Sequence, residues 1–324
     1  MKKYFQTLLT AATLLTAVSC SPIDELFSGE DGEAEKVSFT ISAGQIQGRS
    51  AGDGNTVDQV HYEVWHDGEL VFSSITGKNG AAPVSVSSGM ANVNMRLVKG
   101  VSYDIAFWAH HADGTAYDVS DGLTNIHLIS KEDVYANRES YDAFFSTLKG
   151  YKVSPGVKRV ELKRPFCQVN VGTTPQDWQK AEKLGVVIDQ TTITVTGMAN
   201  VFNALTGKVT KEGNGTSLTY KLGNVLQESF EVDGIQYRYL SMNYLLAEEE
   251  RTLHDMTLDL YADQRHINTL RITNMPVQRN WRTNIIGDVL TSKENFRIVI
   301  EPGFVDDHNE NIKDVEKENN ESNK

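Results

Sequence analysis

The sequence is poor in cysteine, with only Cys20 and Cys167 in 324 residues. Cys20 follows an apolar amino-terminal stretch, where it is expected to be modified rather than to pair with Cys167. No intrachain disulfide is then possible, and stability must come from packing. Cys167 lies in an alternating segment between Phe166 and Gln168. That setting predicts a small buried hydrophobic side chain rather than a nucleophile.

Positive charge is also scarce. The formal net charge is -12 at pH 7, and no more than two basic residues are adjacent anywhere in the chain. Binding to phosphate groups requires a basic face, so the composition excludes nucleic acid as an expected partner.

A long hydrophobic run is missing as well. The apolar stretch over residues 8–18 is shorter than the roughly 20 residues that a membrane-spanning helix needs. Because Lys2 and Lys3 precede it and small residues lead into Cys20, it predicts a secretory signal peptide over residues 1–20. The pattern resembles a bacterial lipobox, which makes Cys20 the expected lipidation site. A plain secretory signal with an incidental cysteine is the alternative.

Motifs of enzymes are absent from the sequence. It has no glycine-rich phosphate loop, no zinc-protease helix motif and no Gly-x-Ser-x-Gly elbow, so we expect no enzyme and no cofactor. The best metal candidate is the segment containing His110, His111, Asp113, Asp118 and Asp121. Adjacent histidines on a strand point to opposite faces, so a solvated loop without metal is the favoured interpretation.

Alternating apolar and polar residues dominate what is present. Val37, Phe39 and Ile41 alternate with small polar residues, as a half-buried strand requires. Residues 60–65 and 70–72 flank Asp67-Gly68, which predicts a hairpin. Similar patterns recur at residues 93–97, 103–108, 157–162, 166–171, 192–196, 217–220, 237–240, 256–261, 267–272, 284–290 and 296–300.

One helix is predicted, in the second half of the chain. Thr174 is suited to the N-cap, Pro175 to the first helical position and Gly185 to the carboxyl end, with Trp178 between them. The three consecutive glutamates at 248–250 are interpreted as a charged hairpin turn.

Length and pattern together predict two domains, because one hydrophobic core rarely organises about 300 residues. Many short strands separated by turns indicate an all-β chain of sandwiches. We place a flexible tether at 21–36, one sandwich at 37–160, a second at 161–305 with the short helix, and a junction near 157–166. Residues 306–324 carry seven acidic and three basic side chains, which predicts a disordered tail.

Clustered aromatic residues are the candidates for a glycan-binding platform: Phe107-Trp108, Phe144-Phe145 and Trp281. Each lies in or beside an apolar run, so packing in the core is the favoured interpretation.

The segment after the first strand, residues 44–54, contains four glycines and Arg49. Its backbone is expected to be open to a protease, and cleavage after Arg49 would separate the strand containing Val37, Phe39 and Ile41 from the rest of the chain. Losing such a strand leaves unpaired amides and an apolar groove that a strand of another chain can fill. An ordinary surface loop is the alternative.

The chain resembles the fimbrillin-like, Mfa-like lipoproteins of type V pili, and within them a subgroup of unassigned role. The resemblance runs from the signal peptide to about Phe304. It is carried by Val37-Ser38-Phe39-Thr40-Ile41, Arg49-Ser50-Ala51, Ala106-Phe107-Trp108-Ala109, Thr115-Ala116-Tyr117-Asp118, Tyr141-Asp142-Ala143-Phe144-Phe145, residues 160–166, the helix around Trp178, residues 279–287 and residues 298–302.

The resemblance implies two tandem transthyretin-like β-sandwich domains, lipid anchoring at Cys20 in the outer membrane, and display at the cell surface or in a fimbrium. It implies other pilus subunits as partners through donor-strand exchange after cleavage at Arg49, with adhesion to a host or glycan ligand. The hydrophilic tail lacks the alternating apolar residues of a donor strand. Anchor, tip and solitary surface lipoprotein therefore stay open as roles. A glycan-binding lipoprotein of a nutrient-uptake system is the alternative function.

Overall fold

The computed structural model describes residues 33–43, 56–112, 116–128, 141–154, 156–212, 217–221, 229–292 and 295–302. Within them the chain is all-β with one short helix, as the sequence predicts. The strands that precede residue 163 are β1 (Ala34–Ala43), β2 (Gln59–His66), β3 (Glu69–Ser73), β4 (Val84–Ser85), β5 (Met90–Val98), β6 (Ser102–His110), β7 (Tyr117–Asp118), β8 (Ile126–Leu128), β9 (Ala143–Lys152) and β10 (Val157–Leu162).

The later elements begin at Phe166. They are β11 (Phe166–Thr173), helix α1 (Pro175–Lys183), β12 (Gln190–Thr196), β13 (Val201–Asn203), β14 (Lys208–Thr210), β15 (Ser217–Lys221), β16 (Ser229–Val232), β17 (Ile235–Leu246), β18 (Thr252–Ala262), β19 (Arg265–Val277), β20 (Trp281–Gly287) and β21 (Phe296–Pro302).

The first sandwich packs the sheet β10-β1-β5 against the sheet β3-β2-β6-β9, with β4 also paired to β2. Its core is formed by alternate side chains of both sheets, among them Phe39, Val93 and Phe107. The predicted hairpin between β2 and β3 is confirmed, because Asp67 and Gly68 both have positive φ angles, as its tight turn requires.

The second sandwich packs the sheet β16-β17-β11-β20-β21 against the sheet β15-β12-β18-β19. The predicted cap of α1 is confirmed: the Thr174 hydroxyl accepts a hydrogen bond from the Asp177 amide at 3.1 Å. Gly185 follows the carboxyl end with a φ of +75°, a conformation that glycine adopts without strain. Trp178 is buried and packs beneath the guanidinium of Arg238, 3.7 Å from its ring centre.

A third, central core joins the two halves of the chain. The sheet β14-β13-β8-β7 takes two strands from each half, and β8 pairs directly with β13. Phe202 of β13 packs against Phe145 of β9, with ring centres 4.6 Å apart, and against Trp108 of β6 at 5.7 Å. The described parts of the two halves are therefore connected by a shared sheet and a shared apolar cluster.

Several sequence expectations are adjusted by these elements. Strand β1 begins at Ala34, so residues 34–36 extend the first strand rather than the tether. The expected hairpin turn at 248–250 is wrong: β17 and β18 belong to different sheets, so Glu248 lies in a connection that crosses the sandwich. The predicted boundary between the two sandwich domains, between residues 160 and 161, falls inside β10, and the division into these domains remains a prediction. The tail, Cys20 and Arg49 lie outside the described residues.

Candidate functional site

The first strand occupies the middle of its sheet. Residues 34–42 of β1 pair with β5 in antiparallel register, and residues 38–43 pair with β10 in parallel register. β5 and β10 contact each other only through β1 within this sheet. Removing β1 would leave two strands with unpaired backbone groups on either side of an open groove.

The inward side chains of β1 are those predicted from the alternation. Val37, Phe39 and Ile41 are each no more than 1% exposed. Phe39 packs edge-on against Tyr151, with ring centres 5.2 Å apart, and lies 5.6 Å from the ring of Phe107. Burying three side chains of this size contributes roughly 5 to 9 kcal/mol, so the groove has a strong apolar preference.

The outward side chains of β1 fix its register through polar contacts. The Ser38 hydroxyl donates to Asn94 Oδ1 at 2.5 Å, and the Thr40 hydroxyl donates to Asn92 Oδ1 at 2.9 Å. Arg96 donates to the carbonyl of Ala34 at 3.0 Å. A strand in this groove is therefore apolar on one side and small and polar on the other.

Strand β10 forms one wall of the groove, and the sequence does not predict its pairing with β1. The alternation over residues 157–162 predicts a strand, and Val160 and Leu162 are its buried members. Their pairing with β1 is a contact across more than a hundred residues. Alternation assigns side chains to faces but carries no information about which strand lies alongside.

The aromatic candidates for a glycan platform are mostly in the core. Phe107, Trp108, Phe144 and Phe145 are at most 3% exposed, which confirms the packing interpretation for these four. Trp281 is half-buried, and the Arg251 guanidinium lies 5.6 Å from its ring centre.

The histidine segment does not form a metal centre in the part of the chain that is described, where no group of three metal-ligating side chains comes together. The expected opposite orientations are confirmed, since His110 is buried and His111 is half-exposed beside Asp58, 2.9 Å away. The expected solvated loop is wrong for His110, which ends strand β6. Asp113 lies outside the described residues.

Cys167 is fully buried, as predicted. Burial raises the pKa of its thiol, so the reactive thiolate is disfavoured, and Sγ lies 3.5 Å from the Thr283 hydroxyl. Among the residues described, no helix has the length and apolar character needed to cross a membrane.

The chain matches solved structures of several bacterial proteins at low sequence identity. The tip fimbrial protein Mfa3 from Porphyromonas gingivalis is 12% identical, with a TM-score of 0.45, over 83% of this chain and 100% of that chain. A fimbrial assembly protein from Parabacteroides distasonis is 12% identical, with a TM-score of 0.41, over 83% and 96%. A proposed cell adhesion protein from Bacteroides uniformis is 9% identical, with a TM-score of 0.47, over 82% and 96%.

A search of curated proteins gives no match. One family model matches residues 29–318, which is most of the chain. The chain belongs to the family of unknown function DUF6562.

Proposed function

We propose that this protein is a lipid-anchored protein of the bacterial cell surface that takes part in fimbrial assembly and adhesion by exchange of its first strand. The observation that carries the proposal is the position of β1 between β5 and β10. A central strand next to the amino-terminal end can be removed by a single cut in the segment that follows it. The vacated groove then offers backbone hydrogen bonds on both sides and apolar pockets between them.

The sequence before and after β1 supports the same proposal. Cys20, at the end of the signal peptide, supplies the lipid anchor in the outer membrane until cleavage after Arg49 lets it leave together with β1. A single acyl chain anchors weakly, but a triacylated cysteine holds a protein at a membrane surface. Arg49, six residues after the end of β1, is the proposed processing site.

A tip role fits the cleaved chain better than a repeating stalk role, and an anchor role fits only the uncleaved chain, because cleavage after Arg49 separates Cys20 from the rest of the protein. A stalk subunit must fill the groove of its neighbour with an alternating apolar segment. Residues 306–324 offer Ile312 and Val315 among mostly charged and polar residues, which match the groove of Val37, Phe39 and Ile41 poorly. The donor strand is therefore expected from a different subunit.

Cleavage by an arginine-specific protease is the direct test. Treating the folded, full-length protein is expected to cut first after Arg49, because the segment around it is rich in glycine. Most other arginines of the described residues lie in strands: Arg96, Arg159, Arg238, Arg265, Arg271, Arg282 and Arg297. When subunits that carry a donor strand are added, the cut protein is then expected to associate with them into species that survive detergent without boiling. Mass spectrometry of the fragments and unboiled gels give the two readouts.

The matched control is Arg49→Lys, which keeps the charge but removes the recognition site of the protease. This variant is expected to stay intact and monomeric under the same treatment. First cleavage elsewhere, or complete cleavage after Arg49 with a product that remains monomeric even when other subunits are added, would contradict the proposal.

The glycan-binding alternative has less support. Four of its five candidate rings are buried, and only Trp281 is open to solvent in part. A platform for sugar stacking needs several exposed rings in one plane, so we do not propose it as a second function.

A further inference from the structure

Two buried histidines lie side by side on the face of the first sandwich that meets the central core. His61 of β2 and His110 of β6 are 7% and 5% exposed. Their ring centres are 5.2 Å apart, with the ring planes inclined at 59°. Trp108, the cross-strand neighbour of His61, shares this face, and its ring centre lies 6.4 Å from that of His110.

Four side-chain nitrogens of this group have no hydrogen-bond partner in the part of the chain that is described. Both ring nitrogens of His110, Nδ1 of His61 and the indole Nε1 of Trp108 are buried without a hydrogen bond among the described residues. Buried polar groups are nearly always paired, so this concentration of unpaired nitrogens in one place is unusual. A neutral imidazole tolerates such a site far better than an imidazolium does, because a charge there has nothing to compensate it.

The surrounding charges do not supply that compensation. Asp58, at the open end of the pair, is already bound to His111 at 2.9 Å and to the Ala112 amide at 2.7 Å. Glu63, next along the same face of β2, accepts hydrogen bonds from the Ser73 hydroxyl at 2.7 Å and the Leu123 amide at 2.9 Å.

Among the described residues, the elements packed over this face bring no free carboxylate to the histidines. β7 contributes Tyr117, whose hydroxyl donates to the Tyr141 carbonyl at 2.7 Å, and Asp118, which points to solvent. β13 contributes the apolar ring of Phe202 against Trp108. Asp142, just before β9, is bound to Arg164 at 2.6 Å.

We propose that His61 and His110 form an acid-sensitive latch, in which proton uptake by either ring places an uncompensated cation beside the central core and loosens the contact between the two halves. Trp108 and Phe145, which pack against Phe202 of β13, lie on the same face as the histidines, so a disturbance there passes through these rings to the β8–β13 pairing.

The direction of the pH effect follows from burial. Burial lowers the pKa of His61 from 6.5 to about 4. The pKa of His110 is also lowered from 6.5 to about 4, mainly by burial and in smaller part by the neighbouring His61, against an opposite effect of Asp58. The unfolded chain takes up protons near pH 6.5, before the folded chain does. Stability is therefore complete above that pH and is lost as the pH falls from 6.5 towards 4.

The test is the pH dependence of unfolding of the full chain. From about pH 8 to about pH 5, the ratio of folded to unfolded protein is expected to fall about 30-fold for each histidine that stays neutral when folded. The double variant His61→Phe and His110→Phe keeps aromatic rings in both positions and is expected to lose this dependence. The matched control, His266→Phe, removes a half-exposed histidine beside Asp259 and is expected to keep it.

Two further measurements use the native protein, so they test the proposal even if the double variant folds poorly. NMR titration of the native protein is expected to show that the imidazoles of His61 and His110 stay neutral at pH 5. Hydrogen exchange is expected to speed up on acidification at the Leu128 and Ala204 amides, which bond across the two halves, before it does in β18. Titration of His61 and His110 near pH 6.5 would overturn the latch. So would amides of β18 that exchange faster at the same pH as those of Leu128 and Ala204.

Discussion

Replacing Phe39 with alanine is expected to lower the free energy of unfolding by about 3 to 5 kcal/mol. The side chain is fully buried at the centre of β1, and it is packed between Phe107 and Tyr151. In the described residues this sheet consists of β10, β1 and β5, so the loss of the central side chain of β1 weakens both neighbouring pairings. Urea unfolding monitored by near-ultraviolet circular dichroism measures the change.

Two companion variants separate packing from other effects. Thr40→Ala removes an outward hydroxyl that bonds Asn92 in solvent and is expected to cost no more than about 1 kcal/mol. Phe39→Leu keeps most of the apolar volume and is expected to fall between the two. Equal losses of unfolding free energy for Phe39→Ala and Thr40→Ala would mean that the inward side chains do not hold β1 in its sheet.

Breaking the ion pair between Asp142 and Arg164 is expected to be as damaging. Both side chains are almost fully buried, and Arg164 donates from Nε at 2.8 Å and from a terminal nitrogen at 2.6 Å. The guanidinium also lies over Phe144, 4.5 Å from its ring centre. Asp142→Asn leaves a buried cation with a neutral partner and is expected to cost about 3 to 5 kcal/mol in urea unfolding.

The double variant Asp142→Leu with Arg164→Met tests whether the loss comes from the unpaired charge. Because a buried ion pair can often be replaced by apolar side chains at little cost, the double variant is expected to be more stable than Asp142→Asn alone. The free energy of unfolding of the double variant could instead fall by the sum of the losses for Asp142→Leu alone and Arg164→Met alone. That result would show that the two side chains act through independent contacts.

Local features of this fold are predictable from the sequence because their causes are local. The hairpin at Asp67-Gly68 needs two residues that accept positive φ, and the helix needs Thr174 at its cap and Gly185 beyond its end. The inward set Val37, Phe39 and Ile41 follows from a period of two.

The long-range features are not predictable in the same way. Nothing in the pattern of residues 157–162 reveals that β10 lies parallel to β1. The sheet that joins β8 to β13 is built from strands of only three residues, which are too short to show a period. The sequence predicts that His110 begins a polar loop, yet it ends β6, pairs with Gln59 of β2 and is buried beside His61.

The most direct test of the central claim, that β1 is an exchangeable strand, is replacement by a labelled copy. The full-length protein is cleaved after Arg49 and incubated with an excess of an isotopically heavy peptide covering residues 33–43. A second peptide with Phe39→Asp serves as the control, because a carboxylate cannot enter the apolar pocket without a large desolvation cost.

Native mass spectrometry reads the outcome. The heavy peptide is expected to replace the original strand in a complex of unchanged composition, while the aspartate peptide stays free. Retention of the original strand at complete cleavage, with no heavy peptide bound after prolonged incubation, would contradict the account.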